Sequence, residues 1–265
     1  MNRKKFLLGL GLALALAALL ILPISAGASH SWGHYHWART SNPFTIKLGD
    51  NVSGLWDAMF GIASDDWSQS SVLDTTIVAG GTSGSACAPT YGRAEVCNAD
   101  YGNTGWLGVA QIWITSGAHI AQGTVKNNDY YFGSSSYQYN NTAEMQHVIC
   151  QEIGHIFGLD HQDETGASLD TCMDYYHNTS DVDTVSTHPN QHDYDQLAKI
   201  YKHKDRFTTI GASVPSDAPA GWANADVLAQ ENWGDVVSSN AREALYVRDF
   251  GQGYKIFTFV IWVEE

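Results

Sequence analysis

Gln151-Glu152-Ile153-Gly154-His155-Ile156-Phe157-Gly158-Leu159-Asp160-His161 is the stretch on which the reading of the whole chain turns. In a helix, Gln151 and His155 stand one turn apart on the same face, where both side chains can converge on a single ion. Glu152 lies beside them, a carboxylate placed to take a proton from metal-bound water. Gly158 can adopt the left-handed backbone that ends a helix and reverses the chain, returning His161 as a third ligand. Three ligands leave one position open for water, as catalytic zinc sites require.

The spacing matches H-E-x-x-H-x-x-G-x-x-H at every fixed position but the first, where glutamine replaces histidine. A second segment, Thr171-Cys172-Met173-Asp174-Tyr175-Tyr176, has the form of the methionine turn that follows this motif. On these residues the chain resembles the metzincin zinc endopeptidases, in particular a matrixin-like secreted bacterial type, over residues 41–205. The resemblance implies an α+β catalytic domain with a twisted, mostly parallel sheet, an active-site helix and a methionine turn. It implies Zn2+ held by Gln151, His155 and His161, with Glu152 as general base and Met173 packed beneath the metal. Tyr175 matches a tyrosine that some metzincins use near the metal, which implies oxyanion stabilisation. Trp106–Ala110 is similar to the family's substrate-side edge strand, and His188–His203 to its helix after the methionine turn. Ca2+ often accompanies the family, although no D-x-[DN]-x-[DN]-G loop occurs here.

An amide oxygen is a harder and weaker donor for zinc than an imidazole nitrogen. Three readings of Gln151 follow: its oxygen ligates zinc, the ion is held by two histidines and extra waters, or the site is dead. His147 is another face-mate, but it lies ~12 Å along the helix axis from His155 and cannot share the ion. It reads as a partly exposed helix histidine.

Arg3, Lys4 and Lys5, an apolar run from Phe6 to about Ile24, and then Ala26, Gly27 and Ala28 describe a secretory signal over residues 1–28. Secretion to the extracellular space is expected, with no membrane association once the signal is removed. The formal net charge is -14, and the signal contributes only cations to it. Such an acidic surface disfavours nucleic acid. Four cysteines in an exported chain suggest two disulfides and allow three pairings. In one of them Cys87–Cys97 closes a short loop while Cys150–Cys172 ties the metal helix to the methionine turn.

Residues 29–40 read as a loosely ordered leader whose His30, His34 and His36 could bind metal adventitiously or cover the cleft. No cysteine precedes Cys87 to serve as a latency switch, so any latency must come from elsewhere. Strands are expected at Phe44–Leu48, Asp74–Val78, Trp106–Ile114 and His119–Tyr131. A helix is expected at Leu55–Trp67, capped from Asn51 or Ser53. Asn141 followed by Glu144 is a capping arrangement at the start of the metal helix, and Met145, Val148 and Ile149 form its inward stripe. An exposed Trp106–Ala110 edge would let a peptide substrate add itself as a strand. Residues 206–265 read as a C-terminal β extension packed on the catalytic domain. Ala244–Phe250 and Tyr254–Val263 form its hairpin around Gly251-Gln252-Gly253, and its last strand is apolar on both faces.

The expectation is a monomeric, secreted zinc endopeptidase that hydrolyses protein or peptide substrates through metal-activated water. The rival from another class is a noncatalytic secreted binding protein on a degenerate metzincin scaffold. A third is a metal-dependent hydrolase of a different bond.

Overall fold

The computed structural model describes residues 30–163 and 165–264; the expected signal peptide lies outside them. The chain runs through β1 (His36–Trp37), β2 (Phe44–Asn51), α1 (Trp56–Trp67), β3 (Leu73–Ala79), β4 (Ala94–Ala99), β5 (Trp106–Thr115) and β6 (His119–Asn128). There follow α2 (Asp129–Phe132), α3 (Thr142–Ile156), α4 (Gln191–Ile200), β7 (Asp235–Ser239), β8 (Glu243–Gly251) and β9 (Tyr254–Trp262). Among the described residues no helix is long and apolar enough to cross a membrane.

The strands form a 9-stranded sheet in the order β3-β2-β4-β6-β5-β9-β8-β7, with β1 against the start of β6. From β3 to β6 the pairings are parallel, and from β6 to β7 they are antiparallel. The expected mostly parallel sheet is therefore a mixed one, because the C-terminal strands join it instead of forming a separate layer. The α+β character stands.

Each face of β5 has its own core. Ala110, Ile112 and Ile114 pack with α3, while Val109 and Trp113 face a second cluster built by Trp222, Val227 and Trp233. The segment that follows Gly221 thus covers the far face. Gln111 Nε2 donates to Val227 O at 2.8 Å, and Trp113 Nε1 donates to Trp222 O at 2.8 Å. These bonds satisfy polar groups that the sheet buries completely.

α1 buries Trp56, Phe60, Ala63 and Trp67, the stripe its spacing predicts. Its cap differs: Leu55 occupies the N-cap with no side-chain bond. Asn51 instead ends β2, and its amide donates to Glu95 Oε2 at 2.7 Å. β6 ends at Asn128, whose side chain accepts from Tyr130 N and starts the single turn α2; the expected strand to Tyr131 is shorter for that reason.

The leader is ordered, contrary to expectation. His36–Trp37 pairs with His119–Ile120 of β6, and Trp32 and Trp37 are buried in the core. Burial of two tryptophans and of the Trp37 Nε1 bond to Ile156 O at 2.9 Å outweighs the entropy of a free tail.

The Trp106–Ala110 edge is likewise not free. β9 occupies it, with Gly108 opposite Ile261 and Ala110 opposite Phe259. β9 is buried on both faces, as its composition predicts, because Phe257, Phe259 and Ile261 pack into the first core and Tyr254, Ile256 and Val260 into the second.

Candidate active site

α3 starts where Asn141 accepts from Glu144 N at 2.8 Å and buries everything from Ala143 to Ile156. It ends at Ile156, and the chain turns at Gly158, whose φ of +93° is open to glycine at little cost. A Cβ there would meet Tyr35 O at 2.5 Å, so the turn also needs glycine for space. Cys150–Cys172 joins the helix to the methionine turn, and Cys87–Cys97 closes the other pair. Beneath the helix, Met173 is fully buried and its sulfur fills the space where a Gly154 Cβ would stand.

Gln151 and Glu152 are fully buried, and His155 is 1 % exposed. The Gln151 amide donates to Asp174 O at 2.8 Å, which leaves Oε1 buried without a partner. Neither Glu152 oxygen has a hydrogen bond of ordinary geometry. Burial, and then the nearby Glu243 carboxylate, hold the Glu152 pKa well above the usual carboxylate range. His155 Nδ1 donates to Leu159 O at 2.9 Å, which leaves the lone pair on Nε2. Burial, and then neighbouring His161, push the His155 pKa down to about 3.

His161 returns beside His155 as the turn at Gly158 requires, with ring centroids 4.5 Å apart. Tyr175 OH is 3.0 Å from His161 Nδ1, so the tyrosine is engaged with a histidine ring. The sequence expectation aimed that hydroxyl at a substrate oxyanion. Burial opposes charge on His161, but Glu243 and Asp160 outweigh it and raise its pKa to about 10. His147, by contrast, is not partly exposed: it is 1 % exposed, and its Nδ1 is 2.7 Å from Ser186 O.

Two residues beyond the motif complete the site. Glu243, at the start of β8, places Oε2 2.5 Å from His161 Nε2. Phe259 of β9 stacks on the His155 ring at 4.1 Å with an interplanar angle of 11°. Beside Glu243, the Arg242 guanidinium donates to Tyr175 O at 2.6 Å and pairs with Glu264, which fastens the hairpin to the methionine turn. A pocket lined by His161, Tyr175, Ser239, Glu243 and Phe259 opens at this seam. No local pattern singles out Glu243 or Phe259; the one available signal is an acidic residue heading an otherwise apolar strand pair.

Among the described residues, two sets of His and Asp side chains outside the motif converge closely enough to hold a metal ion. They are His30 with His192 and Asp193, and His36 with His203 and Asp205. No protein-family model matches this chain, and no curated protein does.

Proposed function

We propose that this chain is a zinc-dependent endopeptidase that its own C-terminal hairpin holds closed. The single observation that carries the reading is the set of buried, unpartnered donor atoms on α3. Gln151 Oε1 is buried without a hydrogen-bond partner and both Glu152 oxygens without an ordinary one, next to the unprotonated face of His155. Native proteins leave few such groups unpaired, and a cation among them accounts for the arrangement. Nitrogen and oxygen donors of this kind suit zinc.

Gln151 Oε1, His155 Nε2 and His161 Nε2 would hold the ion once the Glu243 carboxylate, paired with His161 Nε2, withdraws. Three protein ligands would then leave the open position that catalysis needs. When bound, zinc lowers the pKa of a coordinated water and polarises a substrate carbonyl. Glu152, dry and of raised pKa, takes the water's proton and passes it to the leaving amine. Asp174 O orients the Gln151 amide, and Leu159 O orients His155. Tyr175 steadies His161. A peptide would pair with β5 only after β9 withdraws from that edge, because both need the same backbone groups.

The test is zinc content of the purified protein together with digestion of a denatured protein substrate by wild type and Glu152→Ala. Proteolysis lost on chelation and in Glu152→Ala supports the reading, and equal activity in both proteins sinks it. The closed cleft is the specific observation that favours a second reading, a noncatalytic binding protein. That reading requires zinc or peptide binding with no hydrolysis even after Glu243 is replaced.

A further inference from the structure

A second cluster lies away from the motif, where the first described strand meets the segment after α4. His36 Nε2 is 3.0 Å from His203 Nε2 and 3.5 Å from Asp205 Oδ2, and His203 Nε2 is 3.7 Å from Asp205 Oδ1. His119 Nε2 reaches the same carboxylate, 3.4 Å from Oδ1. A tetrahedral zinc ion with ligand bonds of ~2.0–2.1 Å has ligand atoms ~3.3 Å apart. The observed separations bracket that edge length.

We propose that His36, His203 and Asp205 form a second metal site, specific for a zinc-class divalent ion, that staples the amino-terminal segment to the domain. His119 is the donor nearest the fourth position.

The surroundings prepare the ligands for this role. His36 Nδ1 is 2.7 Å from His34 O and so carries the proton, which turns the Nε2 lone pair toward His203 and Asp205. Asp205 Oδ2 accepts from Arg39 N at 3.1 Å and Arg39 Nη1 at 3.0 Å, so the carboxylate is held in place, with Oδ1 toward His119 and His203 and Oδ2 toward His36. Imidazole and carboxylate together select zinc over magnesium or calcium, which prefer all-oxygen shells. His36 is buried and Asp205 is partly buried, whereas the His203 side chain is 54 % exposed and gives the ion access from solvent.

The ion would join three separate parts of the chain. His36 lies in β1, His119 begins β6 opposite it, and His203 and Asp205 follow α4. The backbone already ties these parts together through Asp205 N to Arg39 O at 2.9 Å and Thr209 N to Ala38 O at 3.0 Å. The other His/Asp group has structural roles for two of its members. Its Asp193 caps α4, and His192 stacks on His30 with centroids 4.4 Å apart.

The proposal is tested on the full mature chain by zinc stoichiometry and by competition with a chromophoric chelator, comparing wild type with His203→Ala. The exposed position of His203 makes loss of folding an unimportant concern, and the circular dichroism of the variant checks it. His203→Ala should bind one zinc fewer per chain, whether or not the motif site is filled. The zinc-dependent rise in melting temperature should shrink with it, and His119→Ala should weaken the same site by a smaller factor, about tenfold. Equal stoichiometry and an equal thermal shift in wild type and His203→Ala would overturn the proposal. Proteolytic activity is not used as a readout, so the outcome is independent of the catalytic reading.

Discussion

Glu243 Oε2 and His161 Nε2 sit 2.5 Å apart with both side chains almost fully buried, so the opening residue of a distant strand closes over the end of the 151–161 segment. The contact links three levels of the molecule. β9 takes the β5 edge, that pairing carries β8 along, and β8 delivers a carboxylate to the histidine.

Replacing that carboxylate should open the site. Glu243→Gln is expected to raise hydrolysis of a fluorogenic peptide by about tenfold or more at equal zinc loading. In metal-free protein the same change should lower stability by about 3–5 kcal/mol, because one member of a buried pair is left unpaired. Urea denaturation and peptide assays check the two halves, and unchanged activity would remove Glu243 as a latch.

Gln151→His replaces an amide oxygen with an imidazole nitrogen, the better zinc donor. Zinc affinity should tighten by at least about tenfold, equivalent to about 1.4 kcal/mol. Competition with a calibrated chelator measures it. Unchanged or weaker affinity would mean that Gln151 does not occupy a ligand position.

Gly154→Ala probes the packing under the motif helix. The added methyl would meet the Met173 sulfur and, at 2.8 Å, Trp67 Cζ2. Overpacking of this kind costs about 1–3 kcal/mol, so the midpoint of denaturation should fall by that equivalent. A midpoint equal to wild type would show that Met173 and Trp67 are free to move.

Lys126 gives the fold a pH dependence remote from the motif. Burial, partly offset by Asp226, lowers its pKa to about 7, and its ammonium nitrogen reaches Gln111 Oε1 and Val227 O. The unfolded lysine stays protonated up to about pH 10.4. Between about pH 7 and 10 the unfolded state therefore binds more protons, and stability rises with pH. The penalty is fully present only below the folded pKa. Relative to Lys126→Met, the wild type should gain a few kcal/mol from pH 7 to pH 10. Denaturation across that range checks it, and parallel curves for the two proteins would contradict the buried, neutral lysine.

The parts legible in the sequence are those governed by near neighbours. Asn141 with Glu144 marks the start of α3, Gly158 its end, and the stripe of Trp56, Phe60 and Trp67 its neighbour α1, because caps and helical periodicity act over a turn or two. Ring proximity of His155 and His161 follows from the same turn. The disulfide pairing was one of three open choices, and only the approach of the helix to the methionine turn selects it.

Residues 151–161 by themselves determined a helix that carries Gln151, Glu152 and His155 and a turn that returns His161 beside His155, since helical periodicity and the glycine turn are local. Tertiary structure alone decided that the β5 edge is filled, that Phe259 and Glu243 cover the histidines, and that His36, His203 and Asp205 meet. The first two depend on which distant strand wins the open backbone hydrogen bonds of an edge, and the third on how the segment after α4 docks against β1. That competition is settled by apolar area buried across the whole sheet, a quantity no local spacing contains.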